Sequence, residues 1–407
     1  MNSDPQKVLF AFDGTLFSDD KGNYYGVHVN DSIFDRYLNL GESLSLLVRT
    51  KKINEKDKNR IPKITNPYCN IVPVPNFKSI TDFIGNGAKA KAIIREAVEQ
   101  SSVIIARLPS AIGSYAVQFA NEFNKPVLGE VVACNWDSFW YYNYKGKLVA
   151  PYFYWKQRKI IKNIDYAIYV TQHFLQDRYP NNGESIGCSD VSLKEIDNTI
   201  LDKRLKKIEA QKSPLKLGTV AALNVPYKSQ DNVINVVSKL KSKGIHFEYS
   251  LVGQGDDSRL RNLVKKLGLE NEVNFVGTLK HAEVFNFLDE IDIYIHPSKQ
   301  EGLPRAMVEA LSRALPTLGA RTAGIPELLN EEDIFDKGDE QAIEQMLANL
   351  DKEKMKEQAS RNFEKSKNYI GEKLNQERLN FYHKFLNDHN LEIPNKLESK
   401  VKEFSNI

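Results

Sequence analysis

The sequence predicts an α/β protein built from two doubly wound domains, and three observations carry that prediction. In the second half, short apolar runs alternate with amphipathic helical stretches, the pattern of a parallel sheet flanked by helices. The chain has 407 residues, more than a single hydrophobic core usually spans. A polar, Lys/Glu-rich helical stretch over residues 201–212 ends at Ser213-Pro214, which marks the seam between the domains.

Residues 8–12 form the first strand, followed by a polar loop through Gly14, Gly22 and Gly26. Residues 103–106, 127–132 and 167–170 read as further buried strands, and residues 173–178 as a short helix. The second domain opens with a strand over 215–222, and Val233, Ile234, Val236, Val237 and Leu240 then form a helical stripe. Phe247, Tyr249 and Leu251 sit on the next strand; Gly253-Gln254-Gly255 turns the chain into a helix bearing Leu260, Leu263, Val264 and Leu267. A strand with Val273, Phe275 and Val276, a helix with Val284, Phe285 and Leu288, and the strand Ile291-Asp292-Ile293-Tyr294-Ile295 follow. After Leu350 the chain is Lys/Glu/Asn-rich and reads as helical, and no internal repeat is visible.

Composition narrows the function classes. A net charge of +3 implies no nucleic-acid partner. Cys69, Cys134 and Cys188 are odd in number and widely spaced, which fits neither a zinc cluster nor a disulfide framework and points to a reducing cytoplasm. The first seven residues lack the apolar core of a signal peptide, and no apolar run approaches the roughly 20 residues that span a bilayer.

The most informative segment follows the strand ending at Ile295: His296-Pro297-Ser298-Lys299-Gln300-Glu301-Gly302-Leu303-Pro304-Arg305-Ala306-Met307-Val308-Glu309. Ala306, Met307, Ala310, Leu311 and Ala314 recur at helical spacing, and Pro304 suits the first helical position. Glu301 therefore lies in a strand-to-helix loop and Glu309 about a turn and a half into the helix. The free N–H groups of that helix start suit a phosphate or an oxyanion, in the crevice where α/β sheets bind ligands. Carboxylates on either side can grip hydroxyls flanking a bound diphosphate; in an ordinary βα unit they would simply be solvated.

The Pro-Ser-x-x-Glu-Gly-Leu-Pro-x-x-x-x-Glu-Ala pattern, with Gly324-Ile325-Pro326-Glu327-Leu328 downstream, resembles the retaining, nucleotide-sugar-dependent glycosyltransferases of family 4. The resemblance is concentrated in residues 215–329. It implies a GT-B fold: two Rossmann-like domains facing a central cleft, here 1–212 on the acceptor side and 213–374 on the donor side. It further implies that 375–407 crosses back, with a helix over 375–386 returning to the first domain.

By the same resemblance, Lys228 binds the donor diphosphate, and Gly253 and Gly255 form the glycine turn beneath the nucleotide, whose base lies near residues 277–279. Gly302 and Leu303 lie on the donor side. Glu301 holds the donor sugar and supports its charged transition state, and Glu309 holds the ribose. Ala222 stands where the family usually has an arginine, and Arg305 is the candidate to replace it. The family works without a metal or other cofactor, and Asp256-Asp257 lacks the Asp-x-Asp context of metal-dependent transferases. The expected partners are a UDP- or GDP-sugar and a saccharide or lipid-linked saccharide acceptor, in surface polysaccharide assembly. The rivals are an epimerase or phosphorylase of the same fold, and a nucleotide-sugar-binding relative without transferase activity.

Three further stretches bear on the first domain. Phe12-Asp13-Gly14-Thr15-Leu16 is similar to the haloacid-dehalogenase motif, but Ala11 replaces its nucleophilic carboxylate, so no aspartyl-phosphate can form. The remaining readings place Gly14 and Asp13 on an acceptor-side loop, or give Asp13 a capping role. Glu130-Val131-Val132-Ala133-Cys134-Asn135-Trp136-Asp137 holds no histidine where many relatives present one to the donor sugar; Asp137 or Asn135 is the candidate contact, and His173 and His296 read as structural. Residues 138–162 interleave nine aromatics with six cations, which suits packing in a core or a peripheral contact with the cytoplasmic face of an anionic membrane.

Overall fold

The computed structural model describes residues 5–26, 29, 31–54, 58, 61–194, 196–211 and 213–405; residues 1–4, within the polar first seven residues, and residue 212, at the expected seam, lie outside them. The first sheet contains β1 (Lys7–Ser18), β2 (Tyr24–Tyr25), β3 (Ser43–Lys52), β4 (Cys69–Pro73), β5 (Val103–Leu108), β6 (Val127–Val131), β7 (Tyr166–Tyr169) and β8 (Glu184–Gly187). Its order is β4-β3-β1-β5-β6-β7-β8, parallel throughout except for β2, which pairs antiparallel with β1. The second sheet contains β9 (Leu215–Val220), β10 (Phe247–Val252), β11 (Val273–Gly277), β12 (Ile293–His296), β13 (Thr317–Ala320) and β14 (Ile334–Phe335), all parallel, in the order β11-β10-β9-β12-β13-β14. The strand order reverses between β9 and β12, and at such a switch the helices depart to opposite faces and leave a crevice at the carboxyl ends. The central strands β5 and β6 are buried on both faces because helices cover both, and they are apolar apart from Arg107 and Glu130 near their carboxyl ends.

One face of the first sheet packs under the helices Ile80–Glu99, Ala111–Glu122 and Tyr144–Lys162, through Ile94, Ile112, Ala116 and Ile161. The other face is closed by the helix Gly371–Asp388, whose Leu374, Leu379, Phe381, Tyr382, Phe385 and Leu386 lie against Phe10, Ile105, Leu128 and Tyr166. The returning helix expected over 375–386 is thus a structural layer of the first domain. The two passages between domains run side by side: Leu193 N–H donates to the Tyr369 carbonyl at 2.7 Å and Gly371 N–H to the Leu193 carbonyl at 2.8 Å. This is the GT-B architecture that the sequence motifs imply.

Two expectations need correcting. The helix Thr199–Ala210, placed by sequence at the end of the first domain, packs on the second core through Ile208, Leu205 and Leu201. Its buried Arg204 guanidinium donates to the carbonyls of Leu288, Ile291 and Arg313, so a seam at 212 would cut the helix from the core it completes. The polar loop expected after residue 12 is instead strand: β1 runs on to Ser18 beside β3, with an irregularity between Ala11 and Thr15 that absorbs Phe12, Asp13 and Gly14.

Candidate active site

The site is built at the carboxyl ends of β9 and β12. Tyr294 and His296 alternate onto the same side of β12, and both are buried. The Tyr294 hydroxyl meets His296 Nδ1 at 3.0 Å, and His296 Nε2 meets Glu301 Oε1 at 2.7 Å. In either protonation state the ring presents Nε2–H to Glu301, since Nδ1 can accept from or donate to the tyrosine hydroxyl. On the other side, Lys228 Nζ donates to the same Glu301 oxygen at 2.5 Å. Lys228 ends the single 3₁₀ turn Pro226–Lys228 after β9, and Lys299 N–H donates to the Tyr227 carbonyl at 2.7 Å, tying the two loops together. Only 11% of the Glu301 side chain is exposed. Burial pushes its carboxyl up, but the His296 ring and the Lys228 ammonium outweigh that and hold it down at about 2.

The helix Arg305–Ser312 follows, with Pro304 as its N-cap and not its first helical residue. Glu309 is 5% exposed and accepts from His281 Nε2 at 2.9 Å; burial pushes its carboxyl above the usual range and His281 pulls it partly back. Arg305 opens this helix and is exposed, placed so that its charge acts on Glu309 and on Asp190 of the first domain.

Glycines let the loops close over one another. A Cβ on Gly253 would sit 1.9 Å from the Ala221 carbonyl oxygen, and Gly255 has φ +106, so the turn after β10 can lie against the loop after β9 only as glycine. Gly302 faces the other domain: a Cβ there would sit 2.4 Å from the Val132 carbonyl oxygen. Leu303 packs between the two cores. Gln300 Nε2 donates to Ser138 Oγ at 3.1 Å, and the Glu327 carboxylate accepts the backbone N–H groups of Gln172, His173 and Phe174 at 2.6, 3.0 and 2.8 Å. The sequence motif that contains Glu327 therefore clasps the first domain.

The acceptor-side candidates separate. Asp13 accepts the N–H groups of Ala111 and Ile112 at 3.0 and 3.2 Å and pairs with Lys78 at 3.3 Å. It caps the helix Ala111–Glu122, because the irregularity in β1 aims it at that helix's unsatisfied donors. Gly14 lies beside it in strand and not in a loop; a Cβ there would strike the Phe12 ring. Asp137 is 3% exposed, 3.9 Å from Arg178 and 4.0 Å from Lys337 of the second domain, and its Oδ2 has no hydrogen-bond partner. An ionic group that sequence reasoning missed gathers at the carboxyl ends of β5 and β6, where Arg107 donates to Glu130 at 3.0 Å and to Asp190 at 2.6 Å while the Tyr37 hydroxyl donates to Glu130 at 2.8 Å. The role of His296 was also missed, although its alternation with Tyr294 and its place just before Pro297-Ser298 were legible. Among the described residues no three His, Cys, Asp or Glu side chains gather as a metal site.

Comparison with known proteins fits this geometry. The family model for glycosyl transferases group 1 matches residues 202–366, which contain Lys228, Glu301 and Glu309. Protein CapJ of Staphylococcus aureus is 30% identical over 318 residues, covering 77% of this chain and 79% of CapJ. The amylovoran biosynthesis glycosyltransferase AmsK of Erwinia amylovora is 33% identical over 156 residues, 36% of this chain and 38% of AmsK. Among solved structures, HepE of Anabaena in complex with UDP superposes with a TM-score of 0.63 at 14% identity, over 93% of this chain and all of HepE, a likeness of fold.

Proposed function

The chain belongs to the group 1 glycosyl transferases, and from that premise we propose that it moves a sugar from a UDP- or GDP-sugar to a hydroxyl of a saccharide or lipid-linked saccharide, with retention at the anomeric carbon, in assembling a surface polysaccharide. The observation that carries this reading is Glu301, ionised and gripped by His296 and Lys228 at the switch between β9 and β12. AmsK, by its name, supports the polysaccharide setting, and the UDP held by HepE supports a uridine donor.

In this reading the donor diphosphate lies at the start of the helix Arg305–Ser312, where free N–H groups and Lys228 meet the negative charge that develops as the glycosidic bond breaks. Arg305 supplies a second cation in place of the arginine replaced by Ala222. An ionised Glu301 accepts hydrogen bonds only, so it holds the donor sugar's hydroxyls and favours positive charge at the anomeric carbon. Glu309 takes the ribose, and Gly253 and Gly255 let backbone approach the nucleotide. Asp137, whose Oδ1 lies 4.0 Å from Lys337 of the second domain while its Oδ2 has no hydrogen-bond partner, is the acceptor-side contact. No step needs a metal, because Lys228 and the helix terminus supply the positive field, and the reaction is placed at the cytoplasmic face.

The test is a donor panel. Either UDP- or GDP-sugars should raise the melting temperature, nucleoside diphosphate release should need an acceptor and survive EDTA, and NMR of the product should show the donor's anomeric configuration. Inversion at that carbon, or loss of activity in EDTA with recovery in manganese, would overturn the corresponding part of the reading.

A further inference from the structure

The helix Tyr144–Lys162 carries an apolar face that nothing in the described chain covers. Tyr144, Leu148, Tyr152 and Trp155 fall within an arc of about 80° at 100° per residue. They are 73%, 79%, 64% and 65% exposed, and Tyr142 in the preceding turn is 74% exposed. The helix is not misplaced: Gly146, Ala150, Gln157 and Ile161 bury its opposite side. The aromatics of residues 138–162 thus divide into two sets. Phe139 stacks on Phe153 at 4.4 Å, Tyr154 packs edge-on to Trp136 at 5.9 Å, Trp140 stacks on Trp136 at 5.0 Å and Tyr141 lies under Lys337, while Tyr142, Tyr144, Tyr152 and Trp155 are exposed.

Charge and position say what this face meets. Lys145, Lys147, Lys156, Lys159 and Lys162 surround it, all exposed, and no Asp or Glu occurs between Asp137 and Asp165. Aromatic side chains rimmed only by cations match the headgroup zone of an anionic bilayer, where rings sit at the interface and lysine stems reach the phosphates. The helix leads into β7 and so runs antiparallel to the strands, which puts its Tyr144 end at the carboxyl edge of the sheet, beside the cleft. At the same edge and in the same helical layer, Phe83 and Ile84 near the start of Ile80–Glu99 are 43% and 80% exposed. Among the described residues no helix is long and apolar enough to cross a membrane, so the contact is one of surface docking.

The geometry points to docking of this face on an anionic lipid surface, with the mouth of the cleft turned towards the bilayer. That docking would bring a lipid-linked acceptor to the cleft, a consequence that rests on the transferase reading; the docking itself does not.

Flotation of the full chain with vesicles tests it, without donor or acceptor. Vesicles of phosphatidylcholine containing phosphatidylglycerol should carry the protein at low salt, and raised salt should release it, as exposed charges are screened beyond ~8–10 Å at physiological ionic strength. Leu148→Ser with Trp155→Ser should lower the bound fraction at least ~tenfold. Lys156→Glu with Lys159→Glu should do the same without lowering the melting temperature, whereas Arg158, which donates to the Tyr154 hydroxyl and the Arg178 carbonyl, is left intact because it braces the domain. Absence of flotation at low salt overturns the proposal. So does equal flotation of both variants, or a dimer that Leu148→Ser with Trp155→Ser splits while vesicles stay unbound. Nucleotide release with a soluble acceptor, measured in parallel, reports the transferase reading separately.

Discussion

Replacing Glu301 by glutamine should cost stability as well as activity, and the stability loss should depend on pH in a defined way. The Glu301 carboxyl is buried between His296 and Lys228 and is held at about 2, against an ordinary value of 4.5. A folded-state value below the unfolded one stabilises the fold fully above the unfolded value, and that stabilisation is lost as pH falls through the folded one. The difference is worth about 3 kcal/mol at neutral pH, falling to about half of that by pH 3. Glutamine keeps the shape but leaves two donors facing a neutral amide. Urea denaturation of wild type and Glu301→Gln at pH 7, 5, 4 and 3 should show a gap of about 3 kcal/mol at pH 7 and 5, narrowing below pH 4.5. A gap that stays constant from pH 7 to pH 3, or no gap at pH 7, would refute the pairing of the carboxylate with its two partners.

Three other substitutions probe separate parts of the account. Lys228→Ala should weaken free nucleoside diphosphate roughly ten- to hundredfold by calorimetry, as expected for one lost charge-assisted contact of ~1.5–3 kcal/mol; unchanged affinity would make Lys228 only a partner of Glu301. Asp13→Ala should destabilise the first domain by ~1–2 kcal/mol through the lost cap while transfer continues at the wild-type rate; retained stability with a raised KM for acceptor would restore the acceptor-side reading. Glu327→Ala should strand three N–H groups of the first domain and loosen closure, lowering kcat/KM at least ~tenfold with a larger radius of gyration by X-ray scattering; an unchanged radius and rate would show that the clasp holds nothing.

The second domain was legible because both its strands and its motif follow local rules. Strand–helix alternation, the glycines after β10 and the Glu301–Glu309 spacing all express contacts made within a few dozen residues, and the structure places them at the expected strand ends. What escaped depends on residues far apart in the chain. Asp13 reads as a loop residue until the helix Ala111–Glu122, nearly a hundred residues on, offers it two free N–H groups. The helix Thr199–Ala210 precedes the apparent seam, yet Arg204 is held by carbonyls more than eighty residues later. The Arg107–Glu130–Asp190 group has no local signature, since three strand ends must come together to make it. His296 is the exception, because its partner is only five residues away; a lone histidine on a buried strand simply resembles a core residue until the loop folds Glu301 back onto it.

Nucleoside diphosphate release by wild type and Glu301→Gln, with the donor that gives the largest thermal shift and a soluble acceptor, tests the central claim most directly. Glu301 supports charge that develops only as the donor bond breaks, so the variant should still bind the donor while its kcat falls at least ~hundredfold. Wild-type turnover by a folded Glu301→Gln protein would contradict the account.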